Sequence, residues 1–99
     1  MAVYWITFRL EDNPTYSKRY KAFTDEVNRL SSKWWVEPSS FFVFESSYTI
    51  DQIATALKTT ISTSVDLVVI GMPDIKAARI LGDFKDQDIF ELIPFIKKV

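Results

Sequence analysis

Val65-Asp66-Leu67-Val68-Val69-Ile70-Gly71-Met72 is the stretch on which the fold turns. Its middle is apolar at consecutive positions, the pattern of a strand covered on both faces inside a sheet, and Pro73 ends it by removing a ladder donor. Upstream, Thr49 and Gln52 have the form of a capping box, and Ile50, Ile53, Leu57 and Ile61 follow at helical spacing. A helix therefore leads into this strand. Before that helix, Lys33 to Glu37 (KWWVE) and Ser40 to Ser46 (SFFVFES) are short aromatic-rich runs parted by Pro38-Ser39, which reads as a hairpin. Tyr20, Phe23, Val27 and Leu30 predict an amphipathic helix over Ser17 to Ser31, capped by Ser17 or Thr15. The chain opens with Val3 to Leu10, a strand whose apolar face carries Tyr4, Ile6, Phe8 and Leu10, closed by the turn formers Glu11-Asp12-Asn13-Pro14.

This order, β-α-β-β-α-β, predicts an α+β domain of the ferredoxin-like kind: a two-layer sandwich in which two helices cover one face of a four-stranded antiparallel sheet. The other face of the first strand carries Val3, Trp5, Thr7 and Arg9, a mixed set suited to a partly covered surface. Beyond Pro73 the sequence predicts an irregular or helical extension, with a short helix over Asp74 to Leu81 capped by Asp74. A terminal helix over Gln87 to Lys97 follows, interrupted by Pro94. At 99 residues the chain makes one domain, 1–99.

Composition excludes much chemistry. There is no histidine and no cysteine, so there is no Ser-His-Asp triad, no imidazole base, no thiol nucleophile and no disulfide. Only two glycines occur, too few for a Walker A loop or a dinucleotide fingerprint; no cofactor is expected. No apolar run approaches the roughly 20 residues of a membrane helix, and Met1 to Phe8 lacks the basic start of a signal peptide. The expectation is a cytoplasmic protein with no membrane partner. Net charge is −1, split as six Lys/Arg against four Asp/Glu in residues 1–36 and six against nine in the remainder.

Among candidate functional residues, Lys18, Arg19 and Lys21, interleaved with Tyr16 and Tyr20, form a basic and aromatic stretch that reads first as an exposed helix face and second as one that contacts phosphates and stacks bases. Trp34, with Trp35, Phe41, Phe42 and Phe44, reads first as core or dimer packing, since alternation sends about half of these side chains inward, and second as a stacking platform; Trp5 is a further nucleic-acid or interface candidate. Arg9, a charge at the end of an aromatic strand on the face away from the helices, reads first as a salt bridge with Glu11 or a neighbouring strand and second as an interface or phosphate site. Asp83, Asp86, Asp88 and Glu91 form an acidic group that reads first as a solvated helix start and second as a magnesium site, with Asp88 and Glu91 on one helix face.

The strand Tyr4 to Leu10, the Trp34-Trp35 pair and the Phe41 to Phe44 strand, in this order of elements, resemble small proteins of the SinR family. Through them the chain resembles the CRISPR-associated Cas-two nucleases and VapD-type toxins over residues 2–71. In those nucleases the first strand ends in a Tyr-Asp-like pair, and the aspartates of two protomers meet to hold a metal ion. Here Phe8 and Arg9 stand at those positions, and a guanidinium there removes a metal ligand and adds a positive charge. The resemblance thus implies a non-catalytic, homodimeric module that binds nucleic acid or a protein partner in a defence or toxin–antitoxin setting, with no metal and no catalytic residue. The competing expectation is a Mg²⁺-dependent endonuclease, for RNA or DNA, with its carboxylates relocated to Glu11 or to Asp83–Glu91.

Overall fold

A computed structural model describes all residues, 1–99. β1, Ala2–Arg9, turns Tyr4, Ile6 and Phe8 into the core and Val3, Thr7 and Arg9 toward solvent, as strand alternation requires. α1, Tyr16–Leu30, buries Phe23, Val27 and Leu30. Thr15 stands at its N-cap without a side-chain bond to the helix backbone. Its hydroxyl instead accepts from Arg19 Nε at 3.0 Å. β2, Lys33–Trp35, is short and exposed throughout, whereas β3, Phe41–Ser46, alternates between buried and half-buried positions. α2, Ile50–Lys58, starts on the expected capping box: Thr49 Oγ1 accepts from the Gln52 N–H at 3.1 Å, and Gln52 Oε1 accepts from the Thr49 N–H at 2.9 Å. The helix ends before Ile61. β4, Leu67–Gly71, follows as expected.

The C-terminal third departs from expectation. Residues Ala78–Gly82 form a strand, β5, antiparallel to β4, so no helix runs from Asp74 to Leu81. The alanines and leucine there favour a helix locally, but pairing with β4 places Arg79 and Leu81 toward α2 and Ala78 and Ile80 on the opposite face. The terminal helix shrinks to α3, Ile89–Leu92. Pro94 stops it, and the chain re-enters the sheet as β6, Ile96–Lys98, parallel to β5. The sheet is therefore six-stranded, mixed and open, in the order β2-β3-β1-β4-β5-β6.

The principal core lies between α1, α2 and one sheet face. Phe8 centres it, with ring centroids at 4.7 Å from Phe23 and 5.1 Å from Phe42, and Ile53, Leu57, Val68, Ile70 and Leu81 complete it. Each such side chain contributes about 1.5–3 kcal/mol through removal from water. A smaller core of Ala78, Ile80 and Ile96 forms on the other face beneath Phe84, Ile89, Phe90 and Ile93. The sheet face away from α1 and α2 is thus half covered by the chain's own C-terminal segment.

One end of the sheet is held by a buried ion pair. Asp66 has no exposed surface, and Arg19 Nη1 donates to both of its carboxylate oxygens at 2.6 Å. The carboxylate also accepts from the backbone N–H groups of Glu11 and Ser62, each at 2.8 Å. Arg19 Nη2 donates to the Glu11 carbonyl and to Asn13 Oδ1. The Asp83 N–H bonds the Asp66 carbonyl at 2.7 Å, an approach allowed because Gly82, at φ +103°, has no Cβ to strike that carbonyl. Two loops and the start of α1 therefore share one carboxylate, and a third loop is tied to the backbone carbonyl of the same residue.

Candidate functional site

The registers define the sheet face away from α1 and α2. Across it, Lys33, Glu45 and Val3 form one row, and Trp35, Val43, Trp5, Gly71, Ala78 and Ile96 the next. Phe41, Thr7, Val69, Ile80 and Lys98 form the third, and Arg9, Leu67 and Gly82 the last. Over β4, β5 and β6 these rows are capped by the α3 segment. What remains free is the β2-β3-β1 half, where Trp35 is 49% exposed, Val3 37% exposed, and Val43, Phe41 and Trp5 half-buried. A groove of about 310 Å³ runs there, lined by Val3, Lys33, Trp34, Trp35, Val43 and Glu45. It ends at the β2 edge, where Trp34 and Val36 are also exposed.

The six candidate residues do not form one surface. Arg9 and Trp5 lie on the half-capped face, whereas Lys18, Arg19 and Lys21 belong to α1 in the other layer. Arg19 is no free surface cation, because its guanidinium is consumed by Asp66, Glu11 and Asn13. Lys21 is exposed and paired with Asp25 at 2.6 Å, and Lys18 is exposed. Trp34 points toward the helix layer and meets the ring of Phe42 edge-on at 5.9 Å. Trp5 lies over Gly71, whose missing side chain leaves room for the indole, so one ring face is already occupied. No ion pair forms at Arg9; its guanidinium donates to the Asp83 carbonyl at 3.1 Å. It closes one end of a second groove, about 400 Å³, between β4 and the α3 segment.

No family model, curated protein or solved structure matches the chain. What the site can do is therefore read from its own residues. Asp83, Asp86, Asp88 and Glu91 do not converge: no group of three or more carboxylates is close enough to hold a metal ion. Asp88 caps a helix of four residues without a side-chain bond, and Asp86 Oδ1 accepts from the Asp88 N–H. Glu11 gives its backbone, not its carboxylate, to the buried pair.

The groups with shifted acidity have structural partners. Hydrogen bonding from Arg29 holds the Glu26 carboxyl below the usual range, and Arg79 does the same for Asp51, with Nε to Oδ1 at 2.6 Å. Burial raises the Tyr4 phenol, whose hydroxyl donates to the Tyr48 carbonyl at 2.8 Å. None of these groups lies on the free half of the sheet, which offers aromatic and aliphatic surface with one charge of each sign, Lys33 and Glu45. Such a surface suits protein contact. Sequence reading misses Asp66 and Arg79. Helical spacing does place Arg19 three residues after Tyr16 and four before Phe23, on the inward stripe of α1.

Proposed function

We propose that the chain is a non-catalytic, homodimeric binding module of the ferredoxin-like kind. The order β2-β3-β1-β4 with antiparallel neighbours, and both long helices on one face, supports that fold reading; β5, α3 and β6 are additions to it. The SinR-family resemblance belongs to the same proposal, and with it the likeness to Cas-two and VapD proteins and their defence or toxin–antitoxin setting. Arg9 stands where those nucleases carry a carboxylate, so binding rather than cleavage is the activity assigned.

The observation that carries the reading is the half-covered sheet face. The chain caps β4, β5 and β6 itself and leaves Val3, Trp5, Phe41, Val43 and Trp35 running unbroken to an exposed edge. Exposed patches of this kind mark interaction sites, and the partner assigned to this half of the sheet, at the exposed β2 edge where it ends, is a second copy of the chain. Nucleic acid is less well served. Lys18 and Lys21 are in the other layer, and Glu45 lies between Lys33 and Val3.

Sedimentation velocity at micromolar concentration tests the proposal. A particle of twice the 11.5 kDa chain mass is expected, and a monomer would refute it. End-labelled RNA and DNA incubated with the protein and Mg²⁺ should stay intact. Cleavage that purifies with the protein and is lost in EDTA would restore the endonuclease reading.

A further inference from the structure

The two edges of the sheet differ in a way that bears on pairing. β6 presents Lys97 and Lys98, both exposed, and repeated positive charge of this kind prevents an edge from pairing with a copy of itself. β2 has no such guard. Lys33, Trp34, Trp35, Val36 and Glu37 are all exposed, three consecutive members are large apolar residues at 38%, 49% and 41% exposure, and the only charges are opposite in sign and stand at the two ends.

Written against itself in the antiparallel sense with Trp35 at the centre, this segment is self-complementary. Lys33 falls opposite Glu37, Trp34 opposite Val36, and Trp35 opposite Trp35 of the second copy; the other half repeats by symmetry. The register puts Lys33 and Trp35 on the sheet face with Glu45 and Val43, and Trp34 on the helix side; the same alternation carried past the end of β2 at Trp35 adds Val36 to the helix side and Glu37 to the sheet face. Each cross-strand pair is therefore a favourable one: opposite charges at both ends on one face, indole against valine on the other. The local backbone agrees. Glu37 precedes Pro38 and is biased toward extended conformations, and Pro38, lacking an N–H, ends the ladder where the complementarity ends.

We propose that the β2 edge, Lys33 to Glu37, is an isologous dimer interface in which two chains pair antiparallel about a two-fold axis at Trp35. This inference rests on the homodimer reading above and specifies its geometry. The axis is perpendicular to the sheet, so two six-stranded sheets join into one continuous sheet with all the long helices on the same side. The free halves of the two faces become continuous, with the pair of Trp35 side chains at the centre.

Charge exchange tests this directly. Lys33→Glu sets two carboxylates against each other at both ends of the ladder, and Glu37→Lys sets two ammonium groups against each other there; each alone should weaken the dimer about tenfold. An equimolar mixture of the two variants should dimerise again, because each chain then meets its opposite. The register is read separately with cysteines, clean in a chain that has none. Lys33→Cys mixed with Glu37→Cys should form an intermolecular disulfide, since directly opposed residues lie about 4.5–5.5 Å apart. Neither variant should cross-link to itself, because residue 33 lies about 13 Å along the strand from its own copy.

Every changed side chain is exposed, so circular dichroism should report an intact fold in each variant. A dimer that ignores the charge variants and yields no mixed disulfide overturns this interface and leaves the homodimer reading standing. A parent protein that is monomeric at micromolar concentration overturns both.

Discussion

Replacing Asp66 by Asn changes the chemistry of one carboxylate and almost no volume, yet the structure requires a large loss of stability. The carboxylate accepts from Arg19 Nη1 on both oxygens and from the N–H groups of Glu11 and Ser62. An amide turns one acceptor into a donor, which then faces a donor whichever way it is flipped. Arg19, at 11% side-chain exposure, is left as a nearly buried cation with no counter-charge. Removing one partner of such a pair costs about 3–5 kcal/mol, against a total of about 5–15 kcal/mol for a domain of ordinary stability. With a urea dependence of about 1.5 kcal/mol per molar, the unfolding midpoint should fall by roughly 2–3 M. Equilibrium urea denaturation followed by far-ultraviolet circular dichroism measures this. Arg19→Met should also destabilise, and the double variant should cost less than the sum of the two by about 1–3 kcal/mol, because the groups act as one network. A midpoint within about 0.5 M of the parent, or strict additivity, would refute the reasoning that the pair is a buried and coupled unit.

Gly71→Val should expel Trp5 from its place over β4, since any side chain at position 71 enters the space of the indole; with Trp34 and Trp35 changed to Phe, the emission of the remaining Trp5 should shift to the red, and unchanged emission would count against the packing described. The pH dependence of stability follows from Asp51 and Glu26, whose carboxyls are held low by Arg79 and Arg29. A depressed carboxyl adds stability that is present above the ordinary carboxylate range and is lost as pH falls through its lowered value. Thermal midpoints should therefore decline below about pH 4, and Asp51→Asn should flatten that decline while leaving Arg79, at 10% exposure, without its partner at every pH.

Elements built from local signals are legible in the sequence alone. The Thr49 and Gln52 capping box needs only three residues of spacing, and β1 and β3 declare themselves by alternation. β5 is not legible, because Ala78 to Leu81 favours a helix by composition and becomes a strand only through its partner β4, a pairing no local window contains. β6 presents the same difficulty, compounded by Pro94. At the site, the apolar residues of the free sheet half are visible as strand alternation, but their partial covering by α3 is not. Arg19 is hidden for a related reason. Three cations in four residues describe a solvated helix face when counted along the chain, and only the counter-charge at Asp66, 47 residues away, removes one of them from it.

The Asp66 pair also divides the molecule into an end that tolerates revision and an end that does not. Lengthening the turn after β1, the loop before β4 or the exit from β5 would move a donor away from the one residue they share. The connection from Met72 to Ala77, at the opposite end, carries no such obligation: its tip, Pro73 to Lys76, is exposed and its hydrogen bonding is confined to the Ala77 N–H and Ile75 carbonyl. A foreign peptide or a new pair of chain termini belongs there, where the scaffold would present it without being asked to refold around it.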